Sequence, residues 1–230
     1  ITKDFKSNLE GSVELNSIGY NKLYNTNVNE KILVNNLSYK TLNEISNLGL
    51  ISNYEFILKN FNANSKNSTK YKNKSENNLQ GLFQFNSKFP MKRTGRKFNS
   101  KNTPIFVAKF NPYQNKNFSG EKRIVDYANI YSLNRLSSSE ILEGGKSITI
   151  GNEFKILSKD DEEVFGFSLA SSFRDEENND LPVSSSLGQK MSNIVGESSL
   201  KLNEYIDLNY NFLADNNLGN FNYHNVKTNL

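Results

Sequence analysis

Ser147-Ile148-Thr149-Ile150-Gly151-Asn152-Glu153-Phe154-Lys155-Ile156 is the stretch on which the fold turns. Ile148, Ile150, Phe154 and Ile156 alternate with Thr149, Gly151, Glu153 and Lys155. In an extended chain successive side chains point to opposite faces, so this alternation makes a strand with one apolar and one polar face. The next segment repeats the pattern, with Phe165, Phe167, Leu169 and Phe173 set against Gly166, Ser168, Ala170 and Ser172. Between the two lies the acidic run Asp160, Asp161 and Glu162, and a hairpin is the natural connection. A third segment opposes Ile206, Leu208, Tyr210 and Phe212 to Asp207, Asn209 and Asn211.

Working outward, weaker versions occur at Val13 and Leu15, Ile32 and Val34, Tyr54, Phe56 and Leu58, Phe83, Phe85 and Phe89, and Phe106, Ala108 and Phe110. Leu200 with Leu202, and Phe221 with Tyr223, extend the series. Together they give about ten strands at roughly one per twenty residues, the strand-plus-turn length of a membrane barrel. One helix is expected, over Leu42 to Leu48, with Thr41 and Glu44 as a capping box and Gly49 as its stop; a turn between strands is the alternative. Two long polar connections, Asn62 to Asn78 and Asn111 to Lys146, are candidates for functional loops.

Composition narrows the class. Hydrophobic residues make up only 36% of the chain while aromatics reach 12%, which suits strands with one wet and one greasy face. The net charge of +4 is spread along the chain. Its two concentrations, Lys66, Lys70, Lys72 and Lys74, then Lys92, Arg93, Arg96 and Lys97, read as solvated loops, so no nucleic-acid partner is expected. With no cysteine there is no disulfide, zinc site or thiol nucleophile to build. No apolar run reaches the ~18 residues of a membrane-spanning helix, and a membrane protein with this sequence would therefore be a barrel. His224, the one histidine, has no serine or carboxylate partner suggested by spacing, and the acidic groups at 160–163 and 175–180 read as solvated turns. No catalytic residue, metal or cofactor is expected. The start at Ile1 and the stop at Leu230 within a strand-like pattern read as an internal piece of something longer.

Asp126 to Gly151 reads DYANIYSLNRLSSSEILEGGKSITIG. This resembles a signature of the LptD family of lipopolysaccharide-assembly proteins: an Asp, an Asn-Leu-Phe, a Leu-Asn-Arg-Phe run, a Gly-x-Asp pair, and a Glu-Gly-Gly leading into a strand. Asp126, Asn129, Ile130, Tyr131, Leu133, Asn134, Arg135, Glu143, Gly144, Gly145 and Gly151 hold the matching places. Pro104-Ile105 followed by Asn111-Pro112, the run Ser192-Asn193-Ile194-Val195-Gly196, and Tyr210-Asn211-Phe212 extend the resemblance over roughly Leu58 to Leu230. Leu136, Ser138, Glu140 and Ile141 depart from the pattern, and a serine in place of glycine at Ser138 gives up the freedom to take positive φ.

The resemblance implies an all-β, antiparallel transmembrane barrel wall over residues 1–230, part of a barrel of about two dozen strands whose N-terminal jellyroll and terminal strands lie outside this chain. It implies a Gram-negative outer-membrane location, lipopolysaccharide as substrate, an LptE-like lipoprotein plug, and an LptA-like periplasmic bridge through the jellyroll. Lipopolysaccharide would leave sideways between the first and last strands. On that wall Ile148, Ile150, Phe154, Ile156, Phe165, Phe167, Leu169, Ile206, Leu208, Tyr210 and Phe212 are expected to face lipid, and Thr149, Glu153, Lys155, Asp207 and Asn209 the lumen. Arg135 is expected to pair with Asp126 or Glu143 and pin a loop folded into the lumen. A different porin or receptor barrel, or a secreted β-sandwich with its Phe and Ile faces packed between sheets, are the competing readings.

Overall fold

A computed structural model describes residues 2–5, 10–113, 117–203 and 205–229. Its strands are β1 (Thr2–Phe5), β2 (Gly11–Leu23), β3 (Asn29–Thr41), β4 (Glu44–Ile45), β5 (Ile51–Lys66), β6 (Glu76–Lys88), β7 (Met91–Thr94), β8 (Asn99–Asn111), β9 (Gly145–Leu157), β10 (Glu163–Arg174), β11 (Ile194–Lys201), β12 (Asp207–Ala214) and β13 (Phe221–Asn229). All join one antiparallel sheet in the order β1-β2-β3-β5-β6-β8-β9-β10-β11-β12-β13, with β4 beside β5 and β7 beside β8. The sheet is open: among the described residues β1 and β13 each have one neighbour.

Ten strands run eight residues or longer, the number that the alternation suggests, and β1, β4 and β7 are short additions. The 42–48 segment is not a helix. Glu44 and Ile45 pair with Ser52 and Ile51, and Gly49 closes a turn at φ +84° by donating to the Ser46 carbonyl at 2.9 Å. A helix nucleus fixes several residues for its first hydrogen bond, whereas here the edge of β5 offers two partners at once.

The register sorts side chains cleanly. Phe173, Ile148, Ala108, Phe85 and Tyr54 share one row and one face, and so do Phe110, Phe83, Phe56 and Tyr39. This face is bare: Ile150 is 53% exposed, and no second sheet or helical layer packs on it among the described residues. The opposite face carries Lys59, Gln80, Gln84, Lys109, Thr149, Ser172 and Arg174, all buried. That face also buries Ile32, Val34, Ile57, Phe61, Leu82 and Val107, so what departs from a soluble domain is the burial of Lys and Arg, which such domains almost never bury, beside a second face of exposed Ile and Phe.

The covering comes from connections at one end of the sheet. That end carries 24–28, 67–75, 112–144, 175–193 and 215–220, whereas the other end has tight links such as 158–162 and 202–206. The polar connections are shorter than the sequence suggests, because β5 continues to Lys66 and β6 begins at Glu76.

Candidate functional site

The segment 117–144 lies on the polar face of β5–β10, and its anchor is a buried charge cluster. Arg135 donates Nε to Glu143 Oε2 and Nη2 to Glu143 Oε1, each at 2.6 Å, a bidentate pair. Its remaining donors reach Thr149 Oγ1 and Ser172 Oγ at 2.9 Å and Ser147 Oγ at 3.1 Å, all from strands. Arg174 of β10 closes on Glu143 Oε1 from the other side, and donates to the carbonyls of Leu187 at 2.8 Å and Gly144 at 2.9 Å. The side chains of Arg135, Glu143 and Arg174 are 0%, 5% and 3% exposed. Of the two carboxylates that sequence offers as partners for Arg135, Glu143 is the one used.

Irregular backbone has no ladder to satisfy it, and the polar side chains of the sheet supply the partners. Lys59 Nζ donates to the Ser139 carbonyl at 2.7 Å, Gln84 Nε2 to Tyr131 O at 3.0 Å, and Asn111 Nδ2 to Glu143 O at 3.0 Å. Gln80 Oε1 accepts from Leu142 N–H at 2.9 Å, and Lys109 Nζ donates to the Ser132 carbonyl. Apolar contacts fill the gaps. Val125, Tyr127, Ile130 and Leu136 pack with Leu181 and Leu187 of the 175–193 connection and with Ala170, Val195 and Leu213 of the sheet. Leu133 and Leu142 pack on Ile57 and Leu82. Fully burying each such aliphatic group stabilises by roughly 1.5–3 kcal/mol.

Each signature position has a local reason. Asp126 and Asn129 exchange side-chain to main-chain bonds at 3.0 and 3.1 Å, which sets the turn before Ile130. Tyr131 lies over Gly151 so closely that a Cβ there would stand 1.8 Å from its hydroxyl. Asn134 Nδ2 holds the Ser138 carbonyl at 2.8 Å. Gly145 sits at φ +87° where β9 begins, with Arg174 Nη1 2.9 Å from the place a Cβ would take. The positive φ in the departing stretch falls on Ser137 (50°), not on Ser138, whose hydroxyl instead accepts the Ile141 N–H at 3.2 Å. Glu140 takes the Lys70 ammonium at 2.7 Å and the Tyr71 hydroxyl at 2.6 Å, tying the 67–75 turn to the docked segment. Sequence reasoning missed this link, and missed Arg174, Lys59 and Lys109. For the three strand cations the available signal was a long charged side chain at a polar-face position within an alternating strand.

The sites assigned by alternation fall as follows. Ile148, Ile150, Phe154, Ile156, Phe165, Phe167, Leu169, Leu208, Tyr210 and Phe212 lie on the bare face, while Thr149, Glu153, Lys155, Asp207 and Asn209 lie on the polar one. Ile206 precedes β12, in the turn where its carbonyl accepts Leu202 N–H at 3.0 Å. The acidic run at 160–163 is a paired turn: Asp161 meets Lys92 at 2.8 Å, Glu162 meets Lys201 at 3.0 Å and Glu163 meets Lys155 at 2.6 Å. Next to the docked segment the polar face holds a hollow of about 660 Å³, bordered by Lys40, Glu55, Lys101, Tyr131, Leu133 and Glu153.

Burial alone would push the Glu143 carboxyl up, but the charge and hydrogen bonds of Arg135, with the charges of Lys109 and Arg174, outweigh it and hold it down at about 2. The carboxyl's ordinary value is 4.5, so its contribution to docking is complete above that pH and drains away as pH falls towards 2. Limited proteolysis of 117–144 is therefore expected to be flat from neutral pH to about 5 and to accelerate below about 4.5. A segment still as protected near pH 2 as at pH 7 would show that Glu143 does not anchor it.

An all-β antiparallel sheet, its buried charges gathered under a docked segment and most of its strand aromatics left on the other face, defines the class of protein. The family model described as LPS transport system D matches residues 53–230, and the chain belongs to that family, whose members are outer-membrane proteins of lipopolysaccharide transport. A comparison with curated proteins finds none that matches the chain.

Proposed function

We propose that this chain is part of the wall of the outer-membrane translocon that delivers lipopolysaccharide to the outer leaflet, with its bare face in hydrocarbon and its polar face towards an aqueous lumen. The observation that carries this is the sorting of charge. Across the ten long strands every carboxylate belongs by register to the polar face or, as with Glu163, turns to Lys155 and Ser199 there. Lipid-facing charge is expensive, and a soluble sheet has no reason to exclude it.

The apolar band also crosses the hydrogen-bonded rows obliquely. The row through Phe56, Phe83 and Phe110 comes out at Lys146, just outside the apolar stretch of β9 that begins at Ile148. A band that slips along the strands in this way is what strands tilted by ~35–45° against a bilayer produce. Lipopolysaccharide is amphipathic, and the polar face offers its sugars and phosphates a wet path while the docked segment narrows that path. An LptE-like lipoprotein would share the lumen, and an LptA-like bridge would feed it through a jellyroll.

Photo-crosslinkers at Glu153 and Lys101, which border the 660 Å³ hollow, test this reading. In the assembled complex they are expected to capture lipopolysaccharide or the lipoprotein. Probes that capture neither, in a complex that is otherwise intact, would overturn the lumen assignment.

A further inference from the structure

On the ten long strands the charges of the bare face are all cationic and all at one end; at the other end the short β4 and β7 bring Glu44 and Arg93 to that face. Of the ten long strands, only Lys31, Lys66 and Lys146 present charge there, each exposed and each near the end of the sheet that carries the long connections. Lys146 has Asp175 4.0 Å away. Lys31 and Lys66 lie on adjacent strands, two residues apart along the ladder, with no carboxylate on their face of β2, β3, β5 or β6.

Between these lysines and the apolar band stands a patch of carboxamides. Asn77 donates to Asn62 at 2.8 Å, Asn60 to Asn77 at 3.2 Å, and Asn64 to Ser75 at 2.9 Å, all on the bare face. Leu33 and Leu79, 46% exposed each, stand in the same rows as Asn62 and Asn60, and the next row is apolar at Leu37 and Leu58. At 16 residues β5 exceeds the ~9–11 that a tilted strand needs to cross a bilayer. The asparagine stretch therefore stands where hydrocarbon gives way to headgroups. A hollow of about 440 Å³ opens there, bordered by Lys31, Leu33, Asn62, Asn64 and Asn77, with Glu76 at its margin from the polar side of the register.

We propose that this outer surface of β3, β5 and β6 is a binding site for a phosphorylated glycolipid headgroup of the leaflet around it, resting on the reading of the sheet as a membrane wall. Lys31 and Lys66 meet phosphate, the carboxamides meet sugar hydroxyls, and Leu33 and Leu79 meet the first acyl carbons. The carboxamides favour a sugar headgroup over a glycerol one, because Asn supplies paired donor and acceptor groups and no charge. The site lies on the outside of the wall, apart from the lumen path, and would hold lipid that has already been delivered.

The test uses the full-length protein in its complex, in nanodiscs of stated composition, with p-benzoylphenylalanine at Asn64 or at Phe165. The Asn64 probe is expected to capture bisphosphorylated lipid A in preference to phosphatidylglycerol. A lysine at a charged membrane surface is worth about fivefold, so Lys31→Gln with Lys66→Gln is expected to cut that capture on the order of 30-fold, and Lys31→Arg with Lys66→Arg to preserve it. Equal capture of the two lipids, or capture indifferent to the glutamine pair, overturns the site. The Phe165 probe, in the apolar band well away from the lysines, is expected to capture acyl chains of any lipid in every variant. If it captures none, the membrane-wall reading itself fails and the site with it; if it succeeds where Asn64 fails, only the site is lost.

Discussion

Replacing Glu143 with glutamine is expected to free the 117–144 segment from the sheet while leaving the strands paired. The carboxylate lies between the guanidiniums of Arg135 and Arg174, with Lys109 also contributing its charge. Removing it leaves buried cations facing one another without a counter-ion. Breaking a buried pair in this way costs about 3–5 kcal/mol, several times the net worth of an ordinary hydrogen bond. Opposing the loss are the burial of Ile130, Leu136 and Leu142 and the bonds from Lys59, Gln80 and Gln84 to loop backbone. These hold the segment in the wild type, but each remaining polar bond contributes only ~1 kcal/mol. The ladders of β8, β9 and β10 do not pass through Glu143, so opening should be local.

Amide exchange reads this out. Protection at Ile130 and Leu142 is expected to fall on the order of 100-fold or more in Glu143→Gln, since each 1.4 kcal/mol is a factor of ten, while amides in the centre of β9 keep theirs. Asp161→Asn serves as the control. Its partner Lys92 is half-exposed, and such surface pairs are worth ~0–1 kcal/mol. If Glu143→Gln leaves the exchange of Ile130 and Leu142 untouched, the cluster does not hold the segment.

Alternation alone was enough to read the sheet and its two faces, because period two is a local property that survives without knowledge of partners. Ile148, Ile150 and Thr149 needed no neighbour to be sorted. The helix expected at Leu42 to Leu48 fails for the complementary reason: Glu44 and Ile45 become strand only because β5 runs beside them, and pairing is non-local. Two long polar connections were visible as loops, but not that the second would pack against the 175–193 connection after β10, with Phe118 N–H on Asp180 O at 2.7 Å. Arg135 and Glu143 were legible as a pair from charge and proximity in sequence. Arg174, 31 residues beyond Glu143, was not, since its place is set by the β9–β10 hairpin and the register that puts Arg174 opposite Ser147.

Ile150→Arg separates a membrane wall from a soluble sheet more sharply than any contact map. Ile150 is 53% exposed, between Phe106 on β8 and Ser171 on β10. On a soluble protein such a surface substitution falls within about 0.5 kcal/mol and improves solubility. In a bilayer the same guanidinium costs roughly 2–4 kcal/mol near the midplane. A parallel substitution at Lys31, Lys31→Gln, stands at the headgroup level, where a charge change costs ~0–1 kcal/mol. Equilibrium folding in vesicles, followed by denaturant titration of the full-length protein, should therefore rank Ile150→Arg far below Lys31→Gln, although both positions are exposed. Phe167→Arg, on the same face two strands from Phe106, should lie with Ile150→Arg. Equal stability of all three variants would mean that the bare face meets water, and its exposed Ile and Phe side chains would then need another explanation.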